Sequence, residues 1–382
     1  MTILALIVSL SIPQTETVRV KTSDELQQAV QKAKPGTNIL IEPGDYRGGI
    51  TISNIHGTKD RPIVIAGASP RNPPKLTGGN SAMQLSSVSY LEIQDIIIEK
   101  ATANGLNIDD GGTITKPSHH IKLSRIIVSD LPKGNHDGIK LSGVDDFEVK
   151  NCKVAKWGGS GIDMVGCHRG VIFECEFRDG GDNAVQAKGG SSEITIRKSQ
   201  FIDAGQRGVN LGGSTGAAYF RPALDKMGAE KYEAKSITVE GCTFVRGGAA
   251  VAFVGVDGAD VRFNTIYNPG RWAMRILQET RDSGFVPSRK GVFTDNLIVF
   301  TSTNWSAGGV NIGPDTDPSS FKFARNFWFC SDEPTRSKPT LPTSEEKGTY
   351  GTDPLLLIEP KGMVKIGWGS PAVNVGAQGF RG

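Results

Sequence analysis

The chain has 382 residues, 22% of them charged and 37% hydrophobic, with a formal net charge of +3. That length holds one large domain or two ordinary ones. A charge so close to zero excludes bulk attraction to nucleic acid, so any affinity for an acidic partner must be local. The 48 glycines are spread at intervals along the chain, which assigns them to turns and not to a linker.

In chain order, residues 3–10 form an apolar run too short to span a bilayer. It has the length of a signal-peptide core, and Ser9-Leu10-Ser11 is a small-x-small cleavage pattern, although no basic segment precedes it. Residues 1–17 are therefore read as an export signal, with a buried N-terminal strand as the competing reading. The expected location is secreted, periplasmic or on the cell surface. Residues 18–36 are read as a cap. Within them 23–36 predict a helix, with Ser23 as N-cap, Leu26, Ala29, Val30 and Ala33 on one face, and a Pro35-Gly36 stop.

A short unit then recurs. Gly105-Leu106-Asn107-Ile108 is followed by Gly138-Ile139-Lys140-Leu141, Gly161-Ile162-Asp163-Met164, Ala184-Val185-Gln186-Ala187, Gly208-Val209-Asn210-Leu211, Ala250-Val251-Ala252-Phe253 and Ala273-Met274-Arg275-Ile276. Second strands such as "VIFECEF" and "EITIRKSQF" alternate apolar and polar residues between them. A period near 23 residues, with turns and no long amphipathic helix, predicts an all-β chain folded as a single parallel β-helix over residues 37–330. The leucine-rich-repeat spacing is absent. Residues 331–382 begin Pro-rich and read as a closing segment. Cys152, Cys175 and Cys242, with Ser199, share one inward column as buried free thiols; parallel Cβ vectors disfavour a disulfide.

The outward residues form columns. One reads Asn107, Lys140, Asp163, Gln186, Asn210, Ala252, Arg275. Beside it stand His136, Asp137, Asp182, Arg207, Arg271 and Trp272, and Lys188 lies two residues past Gln186. Polar residues are the default on a solvated strand face. Three insertions, after Asn107, Asn210 and Arg275, leave one edge of this face and would wall a groove. Tyr219, Phe220 and Trp272 could stack on sugar rings there. Lys140 beside Asp163 reads equally as an ion pair or a base, whereas Lys188 lacks an evident partner and has Arg207 near it. Asp182, Asn183, Glu174 and Glu176 are candidate oxygen ligands for calcium without a fixed spacing. His119, His120 and His168 have no assignable third partner.

Residues 41–69, "IEPGDYRGGITISNIHGTKDRPIVIAGAS", resemble the opening coils of the lyase family that holds chondroitinase B and alginate lyases. The resemblance extends over most of the chain and implies a secreted right-handed β-helix. It also implies calcium-assisted β-elimination of uronate polymers by a lysine base and an arginine about one coil on. Lys188 matches the lysine; Val209 or Asn210 stands at the arginine position, with Arg207 offset. Residues 135–138, "NHDG", are similar to a motif of polygalacturonase-type hydrolases, and Gly161-Ile162-Asp163 to one of alginate epimerases.

The expectation is a monomeric polysaccharide lyase acting on an acidic polymer, with no nucleic-acid partner and no membrane span. Lys188 or Lys140 is the expected base, with Arg207 and Asp163 completing the catalytic set. His136, Asp137, Gln186, Asn210, Trp272, Arg271 and Arg275 would bind substrate, with Ca2+ as the candidate cofactor. A hydrolase using Asp137, Asp163 and Asp182, a uronate epimerase, and a non-catalytic glycan-binding protein are the alternatives.

Overall fold

A computed structural model describes residues 16–382. Three parallel sheets of 10, 13 and 12 strands run its length, each strand paired with its equivalents one coil before and after. One coil shows the plan. Ile139–Ser142 lies in the 10-stranded sheet, Val144–Lys150 in the 13-stranded sheet and Lys153–Ala155 in the 12-stranded sheet. Ser160–Val165 then opens the next coil, in register with Lys140 opposite Asp163. The fold is a right-handed parallel β-helix.

The alternation seen in sequence sets the core. In Ile139–Ser142 the first and third residues are buried, so Lys140 and Ser142 face out. The glycine that opens several units answers to close approach. A Cβ on Gly161 would lie 2.6 Å from the Ala184 carbonyl oxygen and 3.0 Å from the Phe177 ring. Phe177, Phe201 and Phe244 stack through successive coils at 5.0 and 4.5 Å between ring centres.

Cys152, Cys175 and Cys242 are buried free thiols. Their column continues as Asn264, Asn296 and Asn326, which the sequence reading passed over. All three are fully buried, and the first two take the next coil's side-chain amide as partner: Asn264 Nδ2 donates to Asn296 Oδ1 at 3.0 Å, and Asn296 Nδ2 to Asn326 Oδ1 at 3.0 Å. Asn326 in turn donates to Glu345. The ladder satisfies polar groups that would be costly unpaired.

The N-terminal helix spans Ser23–Lys32, but its N-cap is Thr22, not Ser23; the Thr22 hydroxyl accepts from the Glu25 amide. Ser23 Oγ instead accepts from the Arg47 amide, and Gln27 exchanges two hydrogen bonds with the backbone of Thr51. The helix thus satisfies first-coil backbone groups that would otherwise form a bare sheet edge. The proposed signal segment lies outside the described residues except for Glu16 and Thr17. Those two begin a strand paired with Thr37 and Asn38. At the other end pairing continues past residue 330, because Glu345–Glu346 and Thr349–Tyr350 extend two of the sheets beyond the Pro-rich loop. No helix among the described residues is long and apolar enough to cross a membrane.

Candidate functional site

The three insertions, residues 110–117, 213–233 and 278–288, all follow the C-terminal ends of strands in the 10-stranded sheet. Buried polar groups bind them together. Arg221 donates to Asp110 through Nε at 2.5 Å and Nη2 at 2.9 Å, joining the second insertion to the first. The pair sits over Gly143, whose φ is +65° and whose Cβ would lie 2.4 Å from Asp110. Glu233, fully buried, accepts from the Gly189 and Thr215 amides and from the Thr215 and Thr280 hydroxyls. Phe220 packs against Phe285, and Val286 donates to the Lys231 carbonyl, so the second and third insertions form one body. None of these ties was legible in sequence. Arg221→Ala leaves Asp110 buried without its cation and is expected to cost about 3 kcal/mol, read as a lower urea midpoint; an unchanged midpoint would refute the tie.

Between the first and second insertions lies a groove of about 940 Å³, lined among others by Lys140, Ser142, Lys188, Thr215 and Tyr219. Tyr219 is 64% exposed at its side, whereas Phe220 is 1% exposed. Phe220 is therefore a packing residue and not a sugar platform. His136 lies on the loop before its strand, and its neighbour Asn135 reaches the groove.

The floor carries a cluster of four ionisable side chains, Asp137, Lys140, Asp163 and Lys188. The Lys140 ammonium contacts Asp163 Oδ2 directly and Asp137 Oδ2 at 3.2 Å. Asp137 and Asp163 are each 2% exposed. Asp137 Oδ1 also accepts the Ser160 amide at 2.7 Å. Burial, then the charge of Asp163, pushes the Asp137 pKa up. Burial opposes the charge on Lys140, but Asp163 and Asp137 outweigh it and hold its pKa above the usual lysine value. Lys140 is thus held as an ammonium between two carboxylates, the ion-pair side of its two readings from sequence. Lys188 Nζ lies 3.9 Å from Asp163 Oδ1, an oxygen that is buried and accepts no hydrogen bond. Lys188 therefore has an acidic neighbour that the sequence did not reveal.

Arg207, the cation expected near Lys188, is engaged by other residues. Its guanidinium donates to Asn210 Oδ1 at 2.9 Å and to Glu279 Oε1, on the third insertion, at 2.8 Å. Further along the same face Arg275 stacks 4.4 Å from the Trp272 ring centre and donates to Asn311, and Arg271 approaches the same ring at 5.7 Å. Arg275 covers Trp272, which leaves less of that ring for a sugar. Neither Arg271 nor Arg275 has an ion-pair partner among the described residues. Arg275 stands four coils from Asp163 along the register, about 19 Å. Gln186 lies between the two clusters and donates to the Gly212 carbonyl.

The calcium candidates do not assemble. Glu174 and Glu176 flank Cys175 among Lys153 and Lys198 on another face, while Asp182 stands beside Asn183. No group of three or more His, Cys, Asp or Glu among the described residues could hold a metal ion. In the floor cluster Asp137 and Asp163 already share the Lys140 ammonium, which stands between them where a divalent ion would have to sit.

Two histidines form a packed patch with Tyr90: His119 Nδ1 meets His120 Nδ1 at 2.8 Å, and Tyr90 stacks on His120, while His168 Nδ1 meets Ser192 Oγ at 3.0 Å. Burial, then His120, lowers the His119 pKa, and burial lowers that of His168. A histidine pKa lowered by folding means the unfolded chain binds more protons. Stability is therefore expected to fall as pH drops from about 6.5 toward the lowered values. Tm measured across that window should drop less steeply in His119→Gln and His168→Gln.

Fold and site define a solenoid with one walled face. Residues 81–268 match the family model described as "Right handed beta helix region". No curated protein matches the chain. Among solved structures the chain is similar to pectate lyase Pel9A, at 14% identity over 95% of this chain and 92% of that one, with a TM-score of 0.57. It is similar to a PL6-family polysaccharide lyase from Pseudopedobacter saltans, at 14% identity over 94% and 99%, TM-score 0.55. It is also similar to an alginate lyase from Paenibacillus sp. str. FPU-7, at 19% identity over 80% and 100%, TM-score 0.52.

Proposed function

We propose that this protein binds an acidic polysaccharide along the groove and cleaves it by β-elimination, with Lys188 as the base. One observation carries the choice of base: of the two groove lysines, Lys140 is clamped by two carboxylates and Lys188 has a single contact at 3.9 Å. In a uronate the proton α to the carboxylate passes to the Lys188 Nζ lone pair, the electron pair left behind forms the double bond and expels the glycosidic oxygen from the adjacent carbon, and that oxygen takes a proton from water to leave as an alcohol. Negative charge grows on the uronate carboxylate, where the amide of Gln186 and the guanidinium of Arg207 would stabilise it. Arg271 and Arg275, which make no salt bridge among the described residues, would hold uronates further along the chain.

Resemblance to structures named as alginate, pectate and PL6-family polysaccharide lyases supports this reading at the level of fold. The hydrolase reading loses support because two of its three carboxylates, Asp137 and Asp163, are buried and share Lys140, which leaves Asp182 as its one exposed carboxylate. A polymer substrate is too large to enter a cell, so the groove acts outside the cytoplasm, which is what the apolar segment at residues 3–10 would provide.

Incubation with uronate and neutral polysaccharides tests the reaction. New absorbance near ~230–235 nm, from the unsaturated product of proton abstraction, is expected with a uronate polymer. Reducing ends without that absorbance indicate hydrolysis, and binding without either indicates a glycan-binding protein. Arg275→Ala is expected to raise KM several-fold with kcat nearly unchanged, and added salt should weaken wild-type binding more than that of the variant. A kcat loss equal to the loss in kcat/KM would contradict a pure binding role.

A further inference from the structure

We propose that Lys140 is the resident cation of the site: its ammonium occupies, between Asp137 and Asp163, the place a divalent ion would take. The site is therefore complete without calcium, and it becomes a divalent-ion site only when Lys140 is removed. The inference does not depend on which bond the groove cleaves.

Two carboxylates this deeply buried need compensation. Lys140 supplies it, touching one oxygen of each. The remaining oxygens are not equally satisfied. Asp137 Oδ1 accepts the Ser160 amide, but Asp163 Oδ1 accepts nothing, with Lys188 3.9 Å away. Asp163 Oδ1 is thus a buried hard-oxygen donor in place and unused. With Lys140 in place its ammonium is shared by the two carboxylates, and an added divalent ion would meet that positive charge at short range. Without Lys140 the same cluster carries a net negative charge and presents oxygen ligands of the kind calcium takes. The side chain that excludes the metal is also the one that replaces it.

Thermal unfolding of the full chain, with EDTA and with calcium or magnesium, tests this. The wild-type Tm is expected to be the same in all conditions. Lys140→Met, which keeps chain length and removes charge, is expected to lose several degrees and to recover most of them, saturably, on adding calcium. That recovery should vanish in the Lys140→Met, Asp163→Asn double variant. If Lys140→Met is insoluble, the smaller Lys140→Ala is expressed with and without calcium, and solubility gained with calcium supports the proposal. A wild-type Tm lowered by EDTA and restored by calcium would overturn it. So would Lys140 variants, folded or insoluble, that gain nothing from any divalent ion.

Discussion

Lys188→Ala is expected to lower kcat for polymer cleavage by about 10²–10⁴-fold, the contribution of a positioned general base, while the Tm stays near wild type. The side chain is partly exposed and its one ionic contact spans 3.9 Å, so little folding free energy rests on it. Lys140→Ala reverses the pattern. It leaves Asp137 and Asp163 buried and uncompensated, at about 3–5 kcal/mol, so its first effect is on Tm and solubility. The pair of variants separates a residue that reacts from one that holds the floor together. Steady-state rates with Tm values for both proteins check this. A Lys188→Ala enzyme with wild-type kcat would move the base elsewhere.

Glu233→Ala should be among the most damaging changes outside the coil interior. Four donors lose their acceptor together: the amides of Gly189 and Thr215 and the hydroxyls of Thr215 and Thr280. Each buried donor left unpaired costs about 1–3 kcal/mol. Relaxation of the hydroxyls brings the expected total to about 3–5 kcal/mol, at the severe end for a single substitution. The damage is also directional. Glu233 ties the turn at Gly189 to the second and third insertions, so those walls should loosen before the coils do. Limited proteolysis is expected to cut within residues 213–233 in the variant and not in the wild type. Glu233→Gln keeps one acceptor oxygen and should fall between. A Glu233→Ala protein with a wild-type unfolding midpoint would show that the walls are held by packing alone.

The coil was legible in sequence because its physics is local and repeated. Alternation at Ile139-Lys140-Leu141 gives the inward and outward faces, and equal spacing from Lys140 to Asp163 to Gln186 gives the register. The common edge of the three insertions followed from the same register. What escaped was long-range or off-pattern. Asp110 and Arg221 are 111 positions apart, and neither has a neighbour in sequence that signals the other. Asn264, Asn296 and Asn326 replace cysteines in an inward column, where an asparagine reads as solvated unless its amide partner one coil away is known. The rivalry between Lys140 and Lys188 turned on where long side chains end. Column positions placed Asp163 beside Lys140, but not Asp137 on the same ammonium or Asp163 Oδ1 near Lys188.

The most direct test of the groove's chemistry is the mass of the oligosaccharides released from a uronate polymer by the purified protein. β-Elimination predicts a series in which each new non-reducing end is one water lighter than a hydrolytic fragment, formed by the wild type and nearly lost with Lys188→Ala. Fragments of full hydrolytic mass, or an unaltered polymer across every uronate tried, would contradict it.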